Sequence, residues 1–155
     1  MSNPAQRPVV DAGPLWAGGA ATAVVAALVA FVGVLLMEGL LNIDMVRPPL
    51  IPIGDSFVVR YAITAAVLAL LATALAHLLL ATTPRPRSFF SWIVGLATTA
   101  GVVVPFALEG TTGGKLATAG VNLVIGLAIM SLLGAVMRRT TRVAPRTGLP
   151  PRPSW

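Results

Sequence analysis

The sequence predicts an all-α integral membrane protein, a four-helix bundle with both termini in the cytoplasm. Three observations carry that expectation. Hydrophobic residues make up 56% of the 155 residues and charged residues only 10%, whereas soluble domains carry about a quarter charged residues; the mean hydropathy is +0.87. The apolar residues are gathered into four runs, each as long as the ~20 residues that a membrane-crossing helix requires. Short segments rich in Pro, Gly and Arg separate the runs. Four spans take up ~80–90 residues. The tails and connections that remain are each too short for a further domain, which needs about 50 residues.

Residues 1–14 are polar and proline-rich, the composition of a disordered cytoplasmic tail. The first span covers residues 15–41. It is too long for the ~7–15-residue apolar core of a signal peptide, and its small residues precede the apolar run, so it is expected to stay uncleaved. Pro48, Pro49 and Pro52 interrupt the next segment, because a proline cannot continue a helix. Its apolar Leu50, Ile51 and Ile53 place this loop on the membrane surface or over the bundle. The second span covers residues 57–81. Pro84 and Pro86 are read as helix breakers in a tight turn before the third span, residues 89–108, which Phe89, Phe90 and Trp92 open as interfacial aromatics. A glycine-rich turn leads to the fourth span, residues 116–137, and residues 138–155 form a basic, proline-rich cytoplasmic tail.

Small side chains let helix backbones approach each other in lipid. Gly19, Ala23, Ala26, Ala30 and Gly33 form such a seam on the first span. Ala65, Ala69, Thr73 and His77 form a ridge on the second, Ser91, Gly95 and Thr98 or Thr99 another on the third, and Thr118, Asn122 and Gly126 share a face of the fourth.

Composition also narrows the chemistry. The chain has no cysteine, one histidine and five acids, which leaves no thiolate chemistry and little material for a metal cage or catalytic triad. No enzymatic activity, metal or cofactor is expected. The net charge of +6 does not point to nucleic acid, because the arginines flank apolar runs as topology signals do. The segment 110–114 resembles a phosphate loop only in its glycines and lacks the following Lys-Ser/Thr. The basic tail is read as a topology anchor or as a contact for anionic lipid.

Polar groups at membrane depth are the candidate functional positions. Asn122 either hydrogen-bonds a neighbouring helix or lines an outward-facing polar nook. Glu38, ending the first span, is expected to partner Arg60 at the start of the second; the alternative is a proton- or cation-responsive carboxylate. His77 is expected to bond backbone or water. Pro105 is expected to kink the third span, with Thr98 and Thr99 satisfying the freed carbonyls.

The order of elements resembles a known family. The Gly-Leu-Leu-Asn-Ile-Asp run that ends the first span, then GDSFVVRYAITAAVLALLATALAHLLL, the PRPR turn, the Trp92 span with Pro105 near its end, and GVNLVIGLAIMSLLG are similar to small four-span actinobacterial membrane proteins catalogued as domain of unknown function 6069. The resemblance covers roughly residues 17–137. It implies an integral membrane bundle and carries no activity or site residues with it. Small multidrug-resistance transporters also have four short helices and a carboxylate in the first. Their carboxylate lies mid-helix, however, and their aromatic pocket has no counterpart here, since Tyr61 is the sole tyrosine.

The reading is therefore a multi-pass protein of a bacterial plasma membrane, in contact with the lipid bilayer. It serves as a structural or accessory subunit that engages a membrane-protein partner or forms a homo-oligomer. The alternative is a small transporter or ligand-binding bundle with a cavity near Glu38 and Asn122, and a third class is a lipid-interacting envelope protein. A cavity favours the ligand-binding class and a tightly filled bundle the first. Orientation follows from counting basic residues. Arg7, Arg85, Arg87, Arg138, Arg139, Arg142, Arg146 and Arg152 fall on the side of the termini, against Arg47, Arg60 and Lys115 on the other, and the richer side is cytoplasmic. A cytoplasmic reporter fused after Trp155 should be active and a periplasmic one silent; the reverse would invert the topology.

Overall fold

The computed structural model describes residues 12–47 and 51–140, in four long helices. These are α1 (Ala12–Val34), continued by a π-helical segment (Leu35–Leu40), then α2 (Phe57–Thr82), α3 (Pro86–Ala107) and α4 (Thr112–Thr140). All four are long and apolar enough to cross a membrane. The described residues contain no strand. Most of the two expected tails, together with Pro48, Pro49 and Leu50, lies outside the described residues.

Helix starts differ from the sequence expectation for one shared reason. The first turn of a helix leaves its N–H groups without intrahelical partners, so residues that break a helix interior are tolerated there. Pro86 therefore opens α3 at its first position, where a missing N–H leaves no bond unmade, instead of ending the preceding turn. Pro14 likewise sits in the first turn of α1. Gly113 and Gly114 lie in the first turn of α4, which begins at Thr112 and not at residue 116. The start of α2 is capped conventionally: the Ser56 hydroxyl accepts from the Val59 N–H at 3.3 Å.

The helices alternate in direction, joined by residues 83–85 and 108–111 at two corners and by the longer 41–56 connection at the third. Helix α1 packs closely on both α2 and α4, and α3 packs closely on α4; α2 and α3 are the least tightly joined neighbours. The seam on α1 is buried as expected: Ala26 and Ala30 are 1% and 0% exposed. Gly19 lies against Thr73 of α2 so closely that a side-chain carbon there would collide with it, and Gly33 faces Val121 of α4. Ala65, Ala69 and Thr73 of the α2 ridge are likewise buried.

The contact face of α3 is rotated from the expected one. Ser91 and Thr99 are exposed, while Phe90, Val94 and Pro105 are buried. Together with Thr98 and Gly101 they form one helical stripe. Phe90 is thus a core residue and not an interfacial aromatic, whereas Phe89 and Trp92 do face outward. Thr98 rests on Gly126 of α4, where a Cβ would clash with it.

The connection between α1 and α2 folds back over the bundle end. Asn42 takes a positive φ of 51° and the Ile43 N–H reaches back to the Met37 carbonyl at 2.8 Å, which ends the helix in a left-handed cap. Met45 and Val46 are then buried, while Ile53, one of the apolar residues that drew attention in the sequence, is exposed. The Val46 N–H donates to the Thr118 hydroxyl of α4 at 3.0 Å, and the Asp44 carbonyl lies so close to Gly114 that no Cβ would fit.

Ala69 is fully buried where α2 meets α1. Ala69→Leu should therefore lower stability in detergent by about 1–3 kcal/mol, the range for overpacking a filled interior. An unchanged unfolding midpoint would mean that this ridge does not carry the packing.

Candidate functional site

A proline in a helix removes the N–H that would bond the carbonyl four residues earlier. For Pro105 that carbonyl belongs to Gly101. In lipid an unbonded carbonyl costs several kcal/mol, and Asn122 of α4 meets the need: its Nδ2 donates to the Gly101 oxygen at 2.7 Å. The expectation that Thr98 and Thr99 fill this role is corrected. Their hydroxyls bond the Val94 and Gly95 carbonyls, at 2.8 and 2.9 Å, within intact helix.

With its amide nitrogen turned to Gly101, Asn122 presents its oxygen to α2, and the Tyr61 hydroxyl donates to it. The chain Tyr61–Asn122–Gly101 therefore ties α2, α4 and α3 together. Tyr61 is 4% exposed and its ring tilts against Phe57, 5.5 Å between centroids. Arg47 sits over the other ring of this pair, 5.2 Å from the Phe57 centroid, a cation–π contact at the bundle rim.

Below the hydrogen-bonded chain the three helices do not close. A cavity of about 450 Å³ lies between them, walled by Ala65, Leu68 and Ala72 of α2, Val94, Ala97 and Thr98 of α3, and Ile125, Gly126 and Ile129 of α4, with Tyr61, Gly101 and Asn122 at its polar end. That volume falls within the ~300–1,000 Å³ of small-molecule sites. The sparse packing of α2 on α3 and the small residues Ala72, Ala97, Gly101 and Gly126 are what leave it open.

The other sequence candidates lie elsewhere. Glu38 and Arg60 do not pair. The Glu38 carboxylate accepts from the Met45 N–H at 3.3 Å, and the Arg60 Nε donates to the Gly54 carbonyl at 2.8 Å. The long connection supplies each with a nearer backbone partner, and Glu38 is not among the cavity walls. His77 stands 6.4 Å from the Trp16 ring; its buried Nδ1 has no hydrogen-bond partner, so the expected bond to backbone is absent at that atom. Tyr61 stood in the sequence only as the sole tyrosine, because its hydroxyl has no visible partner until α2 and α4 are side by side. Pro105 offered a usable signal, since it names Gly101 as the carbonyl in need of a donor. Among the described residues no group of three or more His, Cys, Asp or Glu side chains is placed to hold a metal.

The Asn122 bonds should be measurable. Asn122→Leu is expected to cost about 1–2 kcal/mol, as intramembrane hydrogen bonds do at the upper end of their range. In a Pro105→Ala background, where residue 105 regains the N–H for Gly101, the same substitution should cost less by about 0.5–1 kcal/mol, a coupling that a double-mutant cycle reads directly. Equal costs in both backgrounds would refute the assignment of Asn122 to the proline-freed carbonyl.

No curated protein and no solved structure matches the chain. One family model does, over residues 10–147, described as a family of unknown function, DUF6069. That match spans nearly the whole sequence, so the protein belongs to family DUF6069.

Proposed function

We propose that this small multi-pass membrane protein is a binding bundle for a neutral, membrane-dissolved molecule, resident in a bacterial plasma membrane with both termini cytoplasmic. The observation that carries the reading is the cavity between α2, α3 and α4, mostly apolar in its lining and bearing the Tyr61–Asn122–Gly101 chain at its polar end. Binding pockets combine mostly apolar walls with a few placed polar groups in this way. The tight α1 packing supplies a rigid frame, and the loosely joined α2–α3 side supplies the opening. The reading departs from the structural role first expected from the sequence, because a bundle filled throughout would have no such space. It invokes no catalysis and no cofactor.

A shallow groove on the outer face of α1 and α4, beside Gly33 and Gly120 and flanked by Leu28, Val32 and Leu36, supports an accessory role as a second reading. Small residues in such a groove suit a transmembrane helix of a partner or a second copy.

The binding reading is tested by thermal unfolding in mild detergent. The ligands are a panel of neutral amphiphiles: a phospholipid, an isoprenoid quinone, an isoprenoid alcohol and a long-chain alcohol. At one hundred times its Kd a ligand stabilises by ~2.7 kcal/mol, a rise of ~5–10 °C for a chain of this size. At least one compound should give such a rise in the wild type and none in Ala97→Trp, which fills the cavity mouth. If no compound separates the two proteins, the binding reading fails.

A further inference from the structure

We infer that the cavity holds one acyl chain of a membrane glycerolipid, its ester carbonyl at Asn122 and its tail descending toward Leu75 and Ile129. This rests on the binding reading above and adds the class of ligand.

Shape is the first argument. The lining runs along α2 from Tyr61 to Leu75, ~21 Å at 1.5 Å per residue. An apolar groove of that length matches an extended hydrocarbon chain.

The route of entry is the second. The connection between α1 and α2 covers the polar end: the Ile51 N–H donates to the Thr64 hydroxyl at 3.3 Å, and Thr64 is itself a cavity wall. The exposed walls are instead Leu68, Leu71 and Ile93, at 52%, 61% and 43%. The mouth therefore faces sideways, between α2 and α3, toward lipid and not toward water.

Polar chemistry is the third. An asparagine amide carries two N–H donors. One bonds Gly101, and the other has no hydrogen-bond partner among the described residues. The Tyr61 proton is already given to Asn122, so this end of the slot asks for an acceptor oxygen. The lining contains no Lys or Arg, so an ionised carboxylate would be buried without compensation. A neutral ester carbonyl meets both conditions, and a free fatty acid meets only one.

Depth is the fourth. Helix α2, with 26 residues, is ~39 Å long against a hydrocarbon core of ~30 Å. Tyr61, ~6 Å from its start, is thus within ~5 Å of the hydrocarbon boundary, the level at which glycerol esters lie.

The test is photo-crosslinking of the full chain in vesicles of palmitoyl-oleoyl phosphatidylcholine, which carries no net charge. A trace of the same lipid carries a diazirine near the end of one chain. Peptide mapping should place labels at Ala72 and Ile129 severalfold above those at Val24 and Leu28, which face lipid on α1. Ala97→Trp should abolish slot labelling and leave α1 labelling unchanged, which also reports that the variant folds. Ala72→Leu, filling the slot from α2, serves if it does not. Labelling equal on both faces and indifferent to these substitutions would mean ordinary surrounding lipid and overturn the inference. Displacement of the probe by equimolar palmitate would replace the ester with a free acid and overturn it as well. If phospholipid fails here while another amphiphile still raises the unfolding temperature of the wild type alone, the acyl-chain inference falls and the binding reading stands; if none does, both fall.

Discussion

A hydrogen bond that Pro105 cannot make organises half of this protein. In hydrocarbon no water takes up an orphaned carbonyl, so the Gly101 oxygen must be met by another helix. Asn122 meets it and, in doing so, is left with an oxygen that only a donor on α2 can satisfy. One missing N–H thereby fixes the rotation of three helices at a common level. The Asn122 side chain is the nearest neighbour of Gly101 on its Cβ side, in ordinary van der Waals contact range.

The two sides of the bundle are built on different terms. On the α1 side, Gly and Ala at heptad spacing bring backbones together, and Thr73 occupies the space that a side chain on Gly19 would need. Dispersion forces grow with such contact and need no polar partner. On the α3 side, the Thr98–Gly126 approach and the asparagine hold α3 to α4, and it is α2 and α3 that stand apart. The cavity is a consequence of that spacing and not of any one missing side chain.

Much of this was legible in the sequence, and what was not has identifiable causes. The number of the spans follows from hydropathy, because lipid admits so few alternatives. The α1 seam was readable because small residues at heptad spacing leave little doubt about which face is buried. Asn122 stood out because an amide in an apolar run is costly. The α3 face was misread by about one residue of rotation: Phe90 and Trp92 are both aromatic at a span start, and only the neighbouring helices decide which turns inward. Glu38 and Arg60 share an end of the bundle, but proximity along the chain says nothing of the Met45 amide and Gly54 carbonyl that reach them first. The sequence offered a cavity near Glu38 and Asn122 as an alternative; Asn122 lines the one observed and Glu38 does not, because its extent depends on the distance between α2 and α3.

The Tyr61–Asn122 bond joins residues 61 positions apart, and this has a consequence in time. A ribosome adds about 5–20 residues per second, so Tyr61 is made ~3–12 s before its partner exists. Through that interval α1 and α2 can already pair along their small-residue seam, while the phenol on α2 has no protein acceptor from the fourth helix. The α1–α2 hairpin is in this sense a finished half that waits with one polar group exposed to its surroundings. The arrival of α4 both completes the bundle and withdraws that group from any other partner it has found.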